Sequence, residues 1–147
     1  MANVASNSFK SMLLKGQIAG LTDTFKMILM KNGFTFDKDT HCGYADVIAN
    51  EIIAGSGYTA GGQELSGVSI TKNNGDDTGI LQWHFASWTA SGGSIEAIGG
   101  IIFDDSTSVA GGDDYEDAIV SYIDFGGLQK ATDGLIFRVY NPYIIIS

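Results

Sequence analysis

Thr24-Phe25-Lys26-Met27-Ile28-Leu29-Met30-Lys31 places Phe25, Met27 and Leu29 on one side of an extended chain and Ile28 and Met30 on the other. Period-two alternation reads as a strand, and two apolar sides read as a strand covered on both faces. Residues 32–65, which follow, are the least regular stretch, punctuated by Gly33, Gly43, Gly55, Gly57, Gly61 and Gly62. Within it, residues 46–53 fit either a short strand or one helical turn. A structureless loop of that length is unusual in a compact domain, so 32–65 reads as a packed excursion with small elements of its own.

Downstream the pattern is a series of strands. Residues 67–72 put Val68 and Ile70 on one side, and Asn73-Asn74-Gly75-Asp76-Asp77 follows as a hairpin turn. Residues 80–85 alternate Leu81, Trp83 and Phe85 inward, and 97–103 form a nearly continuous apolar strand carrying Ile101 and Phe103. Residues 117–125 carry Ile123 and Phe125 on one face, and 135–139 turn Leu135, Phe137 and Val139 in with Ile136 and Arg138 out. Pro142 breaks that run, and 143–146 begin a last strand at an edge. Upstream, residues 7–16 read as a short helix capped by Ser6 or Asn7 and ended at Gly16, with Phe9, Met12 and Leu13 on one face. The expected fold is mainly β: one domain over residues 1–147, an antiparallel β-sandwich or jelly-roll-like domain with a short N-terminal helix in 1–23.

Composition narrows the function classes. The chain is 44% hydrophobic and 17% charged with mean hydropathy +0.10, too apolar for an acidic disordered chain. A net charge of −9 and a pI near 4.3 work against nucleic acid and anionic membranes as partners. No apolar run approaches the ~20 residues of a membrane helix. Met1-Ala2-Asn3-Val4-Ala5 lacks the charged start and apolar core of a secretion signal. The single cysteine, Cys42, cannot form an internal disulfide, which fits folding in a cytoplasm.

The chemical motifs each meet a geometric objection. Gly55-Ser56-Gly57-Tyr58-Thr59-Ala60 matches a dinucleotide-binding pattern, but that mechanism needs the loop to open a helix, and Gly61-Gly62 follows at once. His41, Cys42 and His84 form neither a catalytic cysteine constellation nor four zinc ligands, and no Gly-x-Ser-x-Gly elbow exists. Asp104-Asp105 and Asp113-Asp114-Tyr115-Glu116-Asp117 are dense enough in oxygen for calcium but lack the spacing of a calcium loop, so they read as solvated acidic loops. The expectation is a non-enzyme with no catalytic residue, no metal and no cofactor.

The order of residues carries a resemblance. Asn7-Ser8-Phe9-Lys10, Leu13-Leu14-x-Gly16 and the run Asp23-Thr24-Phe25-Lys26-Met27-Ile28-Leu29-Met30 resemble the opening of a family of small tailed-bacteriophage virion proteins. The likeness continues through Phe36-x-x-Asp39-x-His41, Tyr44-x-Asp46-Val47, Glu51, Gly55-x-Gly57-Tyr58-Thr59-x-Gly61-Gly62, Trp88, Ile101-Ile102-Phe103 and Tyr122-Ile123-Asp124-Phe125-Gly126. The resemblance implies a structural protein made in the host cytoplasm and resident on the virion. Its first reading is a capsid decoration or cement protein that binds the major capsid protein shell. A tail or tail-fibre-associated host-binding module is the alternative, and a carbohydrate- or calcium-binding β domain outside the virion is the third class. Contacts with neighbouring copies are expected from the two apolar faces of 24–31 and the apolar edge 143–146.

Charge is distributed unevenly. Residues 1–38 hold five lysines and two acids, net +3, whereas 39–147 hold three bases and fifteen acids, net −12. That asymmetry, with a helix too short to persist undocked, points to an N-terminal anchor through Phe9, Lys10, Met12, Leu13 and Lys15, with the acidic loops facing solvent.

Overall fold

The computed structural model describes residues 2–107 and 114–147. Strands hold 45% of the residues and helices 11%, so the chain is mainly β, with antiparallel sheets and a short helix near the N-terminus. Among the described residues ten strands run in chain order: β1 (Ala2–Ala5), β2 (Phe25–Met30), β3 (Gln63–Glu64), β4 (Ser69–Asn73), β5 (Thr78–Gln82), β6 (Phe85–Thr89), β7 (Ile95–Asp104), β8 (Ala118–Ala131), β9 (Ile136–Tyr140) and β10 (Tyr143–Ile146). Helix α1 (Asn7–Leu14) and helix α2 (Tyr44–Val47) complete the set, with a 3-10 turn at Ile48–Asn50. Residues 46–53 therefore take the helical of their two readings.

A five-stranded sheet, β1-β8-β7-β2-β3, forms the middle layer. Phe25, Met27 and Leu29 enter one apolar layer with Trp83, Trp88, Phe137, Val139 and Ile144, and Phe25 and Trp83 lie 5.1 Å apart between ring centres. Ile28 and Met30 enter a second layer on the opposite face, roofed by the excursion through Phe34, Phe36, Tyr44 and Val47. Ile101 and Phe103 are buried in this second layer, not in the sandwich interior. Both faces of β2 are thus covered within one chain, which removes that strand as a reason for neighbouring copies to touch.

Opposite the first face lie a three-stranded sheet, β10-β5-β4, and a two-stranded sheet, β6-β9. They share one ladder. Gln82 stands opposite Tyr143 and Phe85 opposite Tyr140, a register that continues without an inserted residue across the gap. At the gap the Trp83 N–H donates to the Pro142 carbonyl at 3.0 Å, and the Asn141 N–H to the His84 carbonyl at 2.6 Å. Pro142 has no N–H to give, and Asn141 sits at φ +43°, so the ladder turns a corner there. The stretch 80–85, expected as one strand, is two, and the corner reverses which parity faces inward. Ala86 and Trp88 point in, while Phe85, expected in the core, is 46% exposed.

Two more expected core residues lie outside. Ile70 is 53% exposed because β4 is the edge of its sheet, and Leu135 is exposed because it belongs to the turn before β9, its N–H bonded to Thr132. Val68 and Phe125 are half-buried against the core. Within β8, Asp124 faces Gly99 but Gln129 faces Ala97, so residues 125–128 form a wide bulge, with Gly126 and Gly127 at φ +77° and +147°.

Trp83→Ala is expected to lower unfolding free energy by about 3–5 kcal/mol, whereas Ile70→Ala should stay within roughly 0.5 kcal/mol of the parent. Urea denaturation of both variants checks the pair; equal losses would contradict this division of core and surface.

Candidate functional site

The proposed N-terminal anchor is largely consumed by the fold. Phe9 and Met12 are fully buried in the sandwich core, and Leu13 is half-buried against it. Residues 2–5, with no strand signal of their own, pair with Ser121–Asp124 of β8 as β1, and α1 packs on the same strand. Lys15 lies 2.9 Å from Asp114, whose carboxylate also accepts from Gln17 at 2.5 Å. These two donors hold Asp114 below the ordinary carboxylate range. Lys26 pairs with Asp105 at 3.1 Å and Lys38 with Asp39 at 2.8 Å. The opposite-sign partner of the basic segment is therefore mostly the chain itself, and of the five anchor residues Lys10 alone combines exposure with no ion pair among the described residues.

The acidic loops divide. Asp76 and Asp77 are exposed as expected, and Asp113 lies outside the described residues. Asp114 and Asp104, expected in solvent, are buried. Asp104 Oδ1 accepts from the Ser106 N–H at 2.8 Å, but Oδ2 has no donor. Burial first, then the hydrogen bond and charge of Asp23, push the Asp104 carboxyl up to about 7, against the Ser106 N–H. Among the described residues no three His, Cys, Asp or Glu side chains converge to hold a metal ion.

The motif residues serve packing. His41 stacks on Phe34 and tilts against Phe36, and its Nδ1 accepts from the Asp37 N–H at 3.1 Å. Cys42 is buried, with its N–H on Asp46. His84 is exposed, its ring lying over Gly67, where a Cβ would come within 2.2 Å of it. The Gly55–Ala60 pattern is a tight turn: Gly55 and Tyr58 exchange both backbone hydrogen bonds at 2.9 Å, with Ser56 and Gly57 at φ +53° and +91°. Sequence reading missed the polar centre beside it. Glu51 is buried and accepts from the hydroxyls of Tyr44 and Tyr58 and from the Gly61 N–H, which pins the excursion to β2 because Tyr58 also accepts from the Leu29 N–H. Burial, then the hydrogen bond to Glu51, pushes both tyrosines well above their ordinary range. Two tyrosines seven residues either side of a lone glutamate were the available signal.

The surface with unspent chemistry is the outer face of β6-β9. Phe85 and Tyr140 stand opposite each other, and the Arg138 guanidinium lies 4.9 Å from one ring centre and 5.5 Å from the other. Ile136 extends this face, and Ile136 and Tyr140 are 53% and 62% exposed. Beside it runs a groove of about 410 Å³ between β9 and the bulged end of β8, floored by Phe125 and Phe137. Arg138 has no acidic partner among the described residues. This face combines aromatic area, an exposed cation over two rings and a neighbouring recess, features of protein-binding surfaces.

The buried Asp104 carboxyl, with Asp23 beside it, carries a pH signature. Below the ordinary carboxylate range folded and unfolded chains both hold the Asp104 proton, and its contribution is complete. Between that range and about 7 only the folded chain holds it, so stability from the pair is lost as pH rises. Asp104→Asn, neutral throughout, should therefore gain in melting temperature relative to the parent between about pH 5 and about pH 8. A constant difference across that range would remove the pair from the stability balance.

No family model, no curated protein and no solved structure matches the chain.

Proposed function

We propose that the protein is a structural component of a tailed-bacteriophage virion, a decoration or cement protein that binds and stabilises the shell of the major capsid protein. In this reading it is made in the host cytoplasm, acts at the capsid surface without catalysis and touches neighbouring copies there. The sequence resemblance supplies the context. The observation that carries the reading is the exposed Phe85–Arg138–Tyr140 face, a rigid aromatic surface on a twisted ladder whose inner side is locked into the core. Such a face loses little side-chain freedom on docking, which suits a contact repeated many times over a lattice. The shell contact moves accordingly from α1 to β6-β9, with Lys10 left as a peripheral charge.

Quantitative densitometry of purified virions is the deciding measurement. Copy numbers comparable with the major capsid protein are expected; a few to a few dozen copies would place the protein in the tail, and its absence from virions would overturn both placements. A Phe85→Ser, Tyr140→Ser double variant should keep the parental melting temperature and lose attachment to undecorated shells, whereas Lys10→Glu should reduce attachment only at low salt.

A further inference from the structure

β9 has one spent edge and one open edge. In an antiparallel ladder the backbone groups of alternate residues point to opposite sides of the strand. Ala90 donates to Leu135 and Asn141 donates to His84, so odd-numbered residues of β9 are bonded to β6. The N–H and C=O groups of Ile136, Arg138 and Tyr140 then face away from β6, where no strand among the described residues pairs with β9. The outer edge of β6 is treated differently, since the Ser87 N–H there is capped by the Gln63 side chain at 2.8 Å.

The open edge faces the groove. Consecutive residues 136–140 line it, so backbone as well as side chains form that wall. The facing wall comes from Gln129, Lys130 and Ala131, which pair with β7 on one side and, beyond the Ala2–Asp124 pair that ends β1, with no described strand on the other. The bulge at 125–128 bends β8 so that these two unpaired edges flank one recess. Five residues of added strand span about 17 Å, the length of β9 itself.

The occupant is set by charge and alternation. The groove's charged lining residues are Lys130 and Arg138, both cationic, in a chain of net charge −9. Lys130 is held by Glu96 at 2.6 Å, which leaves Arg138 to meet a carboxylate. Side chains of an added strand alternate between the Phe125–Phe137 floor and the outer face beside Arg138.

We propose that the open edge of β9 is a strand-capture site, which takes an extended segment of a partner protein, apolar at alternate positions and acidic between them, as an added β-strand. The site goes beyond the virion reading and does not depend on it.

Amide hydrogen exchange and titration of the full-length protein test it. In the free protein the amides of Ile136, Arg138 and Tyr140 should exchange fast while those of Phe137 and Val139 are protected. A fluorescein-labelled peptide alternating valine and glutamate should bind, protect the three fast amides and weaken as salt rises. The same peptide with lysine for glutamate, or with N-methylated backbone, should bind at least roughly tenfold more weakly. Arg138→Gln should weaken the acidic peptide by a similar factor at an unchanged melting temperature. Protection of the three amides in the free protein at micromolar concentration that vanishes on dilution would assign the edge to a second copy and overturn the acidic-peptide assignment. Indifference to charge or to N-methylation, or no protection at millimolar acidic peptide, would overturn it also.

Discussion

Met27 and Leu29 press into one apolar layer while Ile28 and Met30, their sequence neighbours, press into another. A strand with two buried faces needs a cover on each, and a small sandwich supplies only one. The chain meets the demand by spending residues 32–65 as a second cover, fastened at Glu51 by two tyrosine hydroxyls and a backbone N–H. A buried carboxylate in that position is stable because its acceptor sites are filled; each unfilled one would cost what a lost buried hydrogen bond costs. The aromatic set Phe34, Phe36, His41 and Tyr122 then closes the roof over β7 and β8.

The opposite cover obeys a different rule. β5 with β10, and β6 with β9, are one ladder in one register, folded at Trp83-His84 against Asn141-Pro142. A single uninterrupted ladder would run straight past the middle sheet. The corner lets it wrap, and the wrap drives Trp83 inward while turning Phe85 and Tyr140 out beside Arg138. The exposed aromatic face and the buried tryptophan are thus two results of one bend.

Strand positions were legible because alternation and glycine-rich turns are local signals. The double burial of β2, the helix at residue 7 and the edge strand after Pro142 could all be read off residues within a few positions of one another. What escaped depends on partners distant in the chain. Nothing in Ala2-Asn3-Val4-Ala5 announces a strand, because β8 provides the ladder. Phe85 sits in faultless alternation with Leu81 and Trp83, and only the facing proline reverses it. The charge asymmetry was real, yet Lys15, Lys26 and Lys38 find their acids within the chain, so a net-charge argument overstated the need for an outside partner. Phe9 and Met12 lie in the chain's own core for the same reason, an amphipathic helix being as well suited to its own sheet as to another.

The pairing of β1 with Ser121–Asp124, and the 2.7 Å hydrogen bond from the Asn3 side chain to the Tyr143 carbonyl, tie the first described residues to the last. During synthesis the first strand has no place to go until some hundred and twenty residues have followed it, a separation copied in its register. Local hairpins such as β4-β5 can close early, but the middle sheet is assembled across long chain separations, which makes its closure slow. Met27 to Met30 wait with both apolar sides uncovered through that interval. The hazard for such a strand lies before folding is complete and not after it.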